Sequence, residues 1–205
     1  MITSGSSPLF CSAASAAAIT VATDSAGAFT QIGDAVSYAQ KHDIPTVTVL
    51  AGTYPAVTIS ATTPIIVVGE SKNENDYSQN EVSISGEDSA LSVSVSAGID
   101  FKYINFVNTG SGSAASIAGT KNGFYSCQFL SPNGGALVAD QGIDIIANSF
   151  MQASDTAIGG TATLYIFNTP IILLGESARV IYTGEDKRWY SLELNNHLRS
   201  IQHIW

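Results

Sequence analysis

The chain has 205 residues, and only 12% of them are charged, about half the ~25% usual for soluble domains. That length suits one compact domain or one stack of repeats, and so few charges exclude a coiled coil, whose flanks need Glu and Lys. Eight basic residues against 17 acidic give a net charge of −9, which argues against nucleic-acid binding and against a polybasic membrane-surface role.

Residues 1–18 read as a leader rich in Ser and Ala, either flexible or the remains of a signal. They carry no Lys or Arg, so they make a poor secretory signal. No stretch approaches the ~18 apolar residues of a membrane span. A strand is expected at 19–22. The period then changes: Phe29, Ile32, Ala35, Val36 and Ala39 share one helical face, which predicts a helix over 29–40. Thr30 is placed to cap it and Asp34 lies near its first turn. After Pro45 short strands follow one another, at 46–50, 57–60, 65–68, 82–85, 91–95, 101–107, 114–117, 124–129, 136–139, 143–150, 163–167, 171–174 and 178–182. Gly, Asn, Asp and Ser separate them.

Four of these strands end on a phenylalanine: Phe106, Phe129, Phe150 and Phe167, at spacings of 23, 21 and 17 residues. An irregular period near 20 predicts an all-β fold, a parallel β-helix whose coils stack aromatic on aromatic. Such a stack needs capped ends, and the 29–40 helix is the expected N-terminal cap. A β-sandwich or barrel with coincidental spacing is the competing reading. Cys11 and Cys127 are the only cysteines, too few for a disulfide framework. Cys127 sits in an apolar run and reads as a buried structural thiol. His42, His197 and His203 are far apart and form no metal cluster, so neither metal nor cofactor is expected.

Several segments resemble one family. Val21-Ala22-Thr23-Asp24 through Gly27-Ala28-Phe29 to Ala35-Val36 is similar to the opening of pectinesterases, V-A-x-D-G-S-G-x-F-x-T-I-x-x-A-V. Val47-Thr48-Val49-Leu50-Ala51-Gly52-Thr53-Tyr54 resembles their strand and turn I-x-I-x-x-G-x-Y. Ile65-Ile66-Val67-Val68-Gly69-Glu70-Ser71, Tyr77-Ser78-Gln79-Asn80 and Tyr103-Ile104-Asn105-Phe106 look like the fungal branch. Gly123-Phe124-Tyr125-Ser126-Cys127-Gln128-Phe129 resembles x-F-Y-x-C-x-F.

The resemblance implies a right-handed parallel β-helix over 19–190, with an atypical tail at 191–205. It implies a secreted, monomeric fungal hydrolase that acts on the methyl esters of pectin in plant cell walls. Its chemistry needs a nucleophilic Asp, a second Asp as general acid and base, a Gln for the oxyanion and an orienting Arg.

The family sets these residues in Q-A-x-A, G-Y-Q-D-T, G-x-V-D-F-I-F-G and L-G-R-P-W. The first place reads Ser111-Gly112-Ser113-Ala114-Ala115, with no Gln. The second reads Ser131-Pro132-Asn133-Gly134-Gly135, with Asn133 for the Gln and Gly134 for the acid. At the third, Asp155 is the only carboxylate. An ungapped match puts it one residue before the nucleophile, and a one-residue gap restores it. Asp155 is thus the candidate nucleophile, against the alternative of a loop residue satisfying local amides. No L-G-R-P-W is found. Ser111, Asn133 and Tyr125 are the candidate substrate-binding residues, and pectin or a related polysaccharide is the expected partner. Catalysis is expected to be weak or absent. A non-catalytic β-helix that binds cell-wall polysaccharide is the alternative, with Tyr125 or Tyr103 either lining a groove or packed in a ladder.

Overall fold

The computed structural model describes residues 18–24 and 27–182. The leader, the 191–205 tail, Cys11, His197 and His203 therefore lie outside the described residues, apart from Ala18.

Strand β1 (Ala18–Val21) is followed by α1 (Ile32–Lys41). Six coils come next, each of three short strands. The first is β2 (Thr46–Val49), β3 (Gly52–Pro55) and β4 (Val57–Ala61), and the second β5 (Ile65–Gly69), β6 (Val82–Gly86) and β7 (Ser89–Ser96). The third is β8 (Ile99–Lys102), β9 (Ile104–Asn108) and β10 (Ser113–Ala118). The fourth is β11 (Asn122–Tyr125), β12 (Gln128–Ser131) and β13 (Gly135–Asp140). The fifth is β14 (Ile143–Ala147), β15 (Phe150–Ala153) and β16 (Thr156–Gly160), and the sixth β17 (Thr163–Phe167), β18 (Ile171–Leu173) and β19 (Arg179–Tyr182). First strands pair with first strands, second with second and third with third, all parallel. The result is three sheets, of seven, six and six strands, wound as a right-handed parallel β-helix.

Equivalent positions stack into columns through the interior. In the first sheet Ile19, Val47, Val67, Phe101, Phe124, Ile146 and Ile166 are successive partners. In the second, Tyr54, Ile84, Phe106, Phe129, Met151 and Ile171 follow one another. Phe101 stacks on Phe124 at 5.3 Å between ring centroids, and Phe106 lies 5.5 Å from Phe129. Edge-to-face contacts join the two columns. Each ring is removed from water on all sides, and such large buried rings contribute strongly to hydrophobic stabilisation.

Two members of the expected phenylalanine ladder are placed elsewhere. Phe150 pairs with Gln128 rather than Phe129, one register position off, so it points outward and stacks on Tyr77 at 5.6 Å. Phe167 ends a strand of the first sheet and is 43% exposed.

The helix has the expected buried face of Ile32, Ala35, Val36 and Ala39, and it packs against β1, β2 and β4 at the head of the stack. It starts at Ile32, three residues later than expected, and Thr30 does not cap it. The reason is local: the amide of Phe29 bonds to Thr20 and its carbonyl accepts from Ala22, which pins the chain against β1 up to that point. Gln31 holds the cap position with no side-chain bond.

Three expected long strands, 101–107, 124–129 and 143–150, are each two strands in different sheets. Single residues in the left-handed region turn the corner: Tyr103 at φ 59°, Ser126 at 53° and Asn148 at 51°, with Asn168 at 44° in the last coil. Two strands went unpredicted, β3 and β16. Pro55 is tolerated in β3 because that strand is the edge of its sheet. β16 is Gly-rich, and its place is set by pairing with β13 and β19 rather than by its own pattern.

Cys127 is fully buried and burial pushes its thiol up to about 12. Its amide donates to Ser149 Oγ at 3.1 Å and Ser149's amide to Thr169 Oγ1 at 3.3 Å, so hydroxyls satisfy the corner amides coil after coil. Replacing Phe124 with Ala breaks the first column and removes its edge contacts to Phe106 and Phe129. The expected cost is about 3–5 kcal/mol, read as a lowered midpoint in urea or guanidinium unfolding.

Candidate active-site groove

The turns between second and third strands sit one above another: Glu87-Asp88, Thr109 to Gly112, Pro132 to Gly134, then Ser154-Asp155. They stack so closely that no side chain fits at their glycines. A Cβ on Gly112 would strike the Asp88 carbonyl, and one on Gly134 would strike the carbonyls of Gly112 and Ser111. Asn108 and Ser131, both fully buried, hold this packing from beneath. Asn108 Oδ1 accepts from the Gly110 amide at 3.0 Å, its Nδ2 donates to Ser131 Oγ at 3.4 Å, and Ser131 Oγ donates to the Gly112 carbonyl at 3.2 Å.

Beside the turns, the outer face of the third sheet carries two depressions. One, of about 310 Å³, is lined by Ser111, Gly112, Ser113, Gly135, Val138, Asp155, Thr156, Gly159 and Gly160. The other, of about 400 Å³, is lined by Ala56, Val57, Thr58, Glu87, Asp88, Ser89 and Ser92. The strand register joins them. Ser89, Ser113 and Gly135 are successive partners, as are Ser92, Ser116, Val138 and Gly159. The two depressions therefore lie along one shallow track. Its charged lining is Glu87, Asp88 and Asp155, all acidic.

Asp155 is exposed on this track. Its amide donates to the Gly134 carbonyl at 3.3 Å, and its own carbonyl accepts from the Arg179 amide at 2.7 Å. The backbone of this groove-lining residue is thus held by both neighbouring coils. Ser111 lines the same depression. Asn133 is exposed on the turn above, and its Nδ2 donates to the Thr109 carbonyl at 3.3 Å, so its amide ties two turns together. Tyr125 is not in this group. It lies on the first sheet, its ring folded over Gly123 with the Lys102 ammonium 5.7 Å from the ring centroid. Burial and then the Asp100 carboxylate push its phenol up. Tyr103 occupies a corner, with its hydroxyl donating to Glu74 Oε2 at 3.2 Å.

Sequence reasoning missed the Asn108–Ser131 pair and the acidic end of the groove at Glu87-Asp88. The first had no signal. The second was visible only as a polar turn. Among the described residues no group of three or more His, Cys, Asp or Glu is arranged to hold a metal ion.

No family model matches the chain, and no curated protein sequence does. Solved structures do match. A pectin methylesterase from Aspergillus niger superposes with TM-score 0.73 at 23% identity, over 87% of this chain and 65% of that one. The carrot pectin methylesterase matches with TM-score 0.69 at 17% identity, over 82% and 58%. A pectin methylesterase in complex with a hexasaccharide matches with TM-score 0.65 at 14% identity, over 79% and 57%. The chain thus has the pectin methylesterase fold and spans less than two thirds of the length of each of these proteins.

Gly134 has no room for a side chain, because a Cβ there would meet the carbonyls of Gly112 and Ser111. Gly134→Asp is expected to destabilise by about 2 kcal/mol or more, because the obstructing atoms are backbone carbonyls. Denaturation curves of the variant check the cost, and ester hydrolysis is expected to stay at the parent level.

Proposed function

We propose that the chain is a secreted, fungal-type pectinesterase-like protein whose groove on the third sheet takes methyl-esterified pectin, and whose ester hydrolysis is weak or absent. The observation that carries this reading is the closed turn at Gly134. Asp155 lines the groove, while Gly134, which the resemblance aligns with the family's general acid, has neither a carboxyl nor room for one.

A positioned general acid contributes about 10²–10⁴ in rate, and an oxyanion donor about 10²–10³. These losses do not simply add when groups act together. With Asn133 bonded to Thr109 and no Gln at Ser111 to Ala115, neither contribution has an evident source. The groove itself supports binding. Its acidic lining repels a de-esterified, anionic polymer and tolerates a neutral, esterified one. The solved pectin methylesterase that carries a hexasaccharide supports polysaccharide as the ligand class.

Purified protein incubated with highly esterified pectin is expected to release methanol at or near the blank rate. Methanol release well above the blank and abolished by Asp155→Ala would overturn the impaired reading. Binding is expected to favour esterified pectin over polygalacturonate by about tenfold, read by affinity electrophoresis or calorimetry. Equal affinity would remove the electrostatic argument.

A further inference from the structure

Asp144 and Asn122 break the apolar rule of the interior. They are partners in adjacent coils of the first sheet, with Leu164 next in line. They share the inward parity of Phe124 and Ile146, and they are 1% and 2% exposed. Asp144 Oδ1 accepts from the Asn122 amide at 3.0 Å and from Asn122 Nδ2 at 2.8 Å. The other two oxygens of the pair, Asp144 Oδ2 and Asn122 Oδ1, are buried with no partner. An ionised carboxylate can only accept, so it leaves both oxygens unmatched. One proton on Oδ2 turns that atom into a donor, and the acceptor left unused is Asn122 Oδ1. A neutral acid and a primary amide each offer a donor and an acceptor, the complement that a ring of two hydrogen bonds requires.

We propose that Asp144 is carried in the fold as the neutral acid, in a closed acid–amide pair with Asn122, and that its ionisation weakens the fourth and fifth coils as pH rises. The environment agrees. Burial lifts the carboxyl to about 6, against a smaller downward pull from the two Asn122 bonds. Other ionisable groups on the packed elements do not offset this. Lys121 and Asp140, beside the adjoining turns, are exposed, as is Tyr165 on β17. Tyr125 lies on the outer face of β11, and the buried Cys127 thiol is held neutral at the corner. Asp100 and Lys102 face outward from β8.

The sign follows from linkage. Burial pushes the folded carboxyl up to about 6 from its ordinary 3.8, so the folded state holds the proton more tightly than the unfolded one. The stabilisation is therefore fully present below the unfolded value and is lost as pH rises through the folded one. Its full extent is about 100-fold in the folding equilibrium constant.

Asp144→Asn tests this, because an amide keeps a donor where the acid carries its proton. Urea unfolding of both proteins, from about pH 3.5 to about pH 8, isolates the effect as a difference curve. The two are expected to agree at the acid end. The variant's folding constant should then exceed the wild type's by up to about 100-fold above pH 6. A flat difference curve, or a variant weaker at every pH, would overturn the proposal. Should the variant not fold, the carboxyl ¹³C shift of Asp144 in the wild type decides. A protonated shift at about pH 5 supports the pair, and an ionised shift there overturns it.

Discussion

A coil one strand thick cannot bury its own apolar face. It can do so only by lying on another coil at the ~4.8 Å strand spacing, with like positions in contact. That requirement governs the whole molecule. The column from Ile19 to Ile166 runs unbroken through seven strands, and a one-residue slip in any of them would turn its apolar set outward. Length can therefore change only at turns. The longest addition, residues 70–81 between β5 and β6, obeys this and is strapped to later coils. Gln128 Nε2 donates to the Tyr77 carbonyl at 2.7 Å, Asn80 Nδ2 to the Ser126 carbonyl at 2.8 Å, and Ser126 Oγ to the Glu74 carbonyl at 3.1 Å.

The same stacking shapes the groove. Because each turn rests on the one before it, the height of a turn is set by its neighbours and not by its own residues. Gly112 lies on the Asp88 carbonyl and Gly134 on those of Ser111 and Gly112. The glycines close the turns against one another, and the carboxylates that line the track come from Asp155 and Glu87-Asp88. Tight packing of these coils leaves no room for a side chain at Gly112 or Gly134. Charge completes the picture. The acidic groups Glu87, Asp88 and Asp155 lie along this one track.

Inside the stack, polar groups are admitted only in matched sets. The corner hydroxyls of Ser149 and Thr169 take the amides that a tight turn strands, and Asn108 with Ser131 does the same beneath the groove. Asp144 and Asn122 are the pair whose matching depends on a proton.

The amino-acid sequence by itself determined the architecture. Short strands punctuated by Gly, Asn and Ser, one amphipathic helix, and a repeat near 20 residues were enough for a capped β-helix, since period and punctuation are local properties. The buried state of Cys127 was legible for the same reason, from its apolar run. Only the tertiary structure decided where the strands break, because Tyr103, Ser126 and Asn148 adopt a left-handed corner that their residue types do not demand. It alone moved Phe150 and Phe167 out of the ladder, put Tyr125 on a different sheet from Asp155, and gave Gly134 its meaning. Each of those depends on which backbone lies one coil away, and that neighbour is about 20 residues distant along the chain.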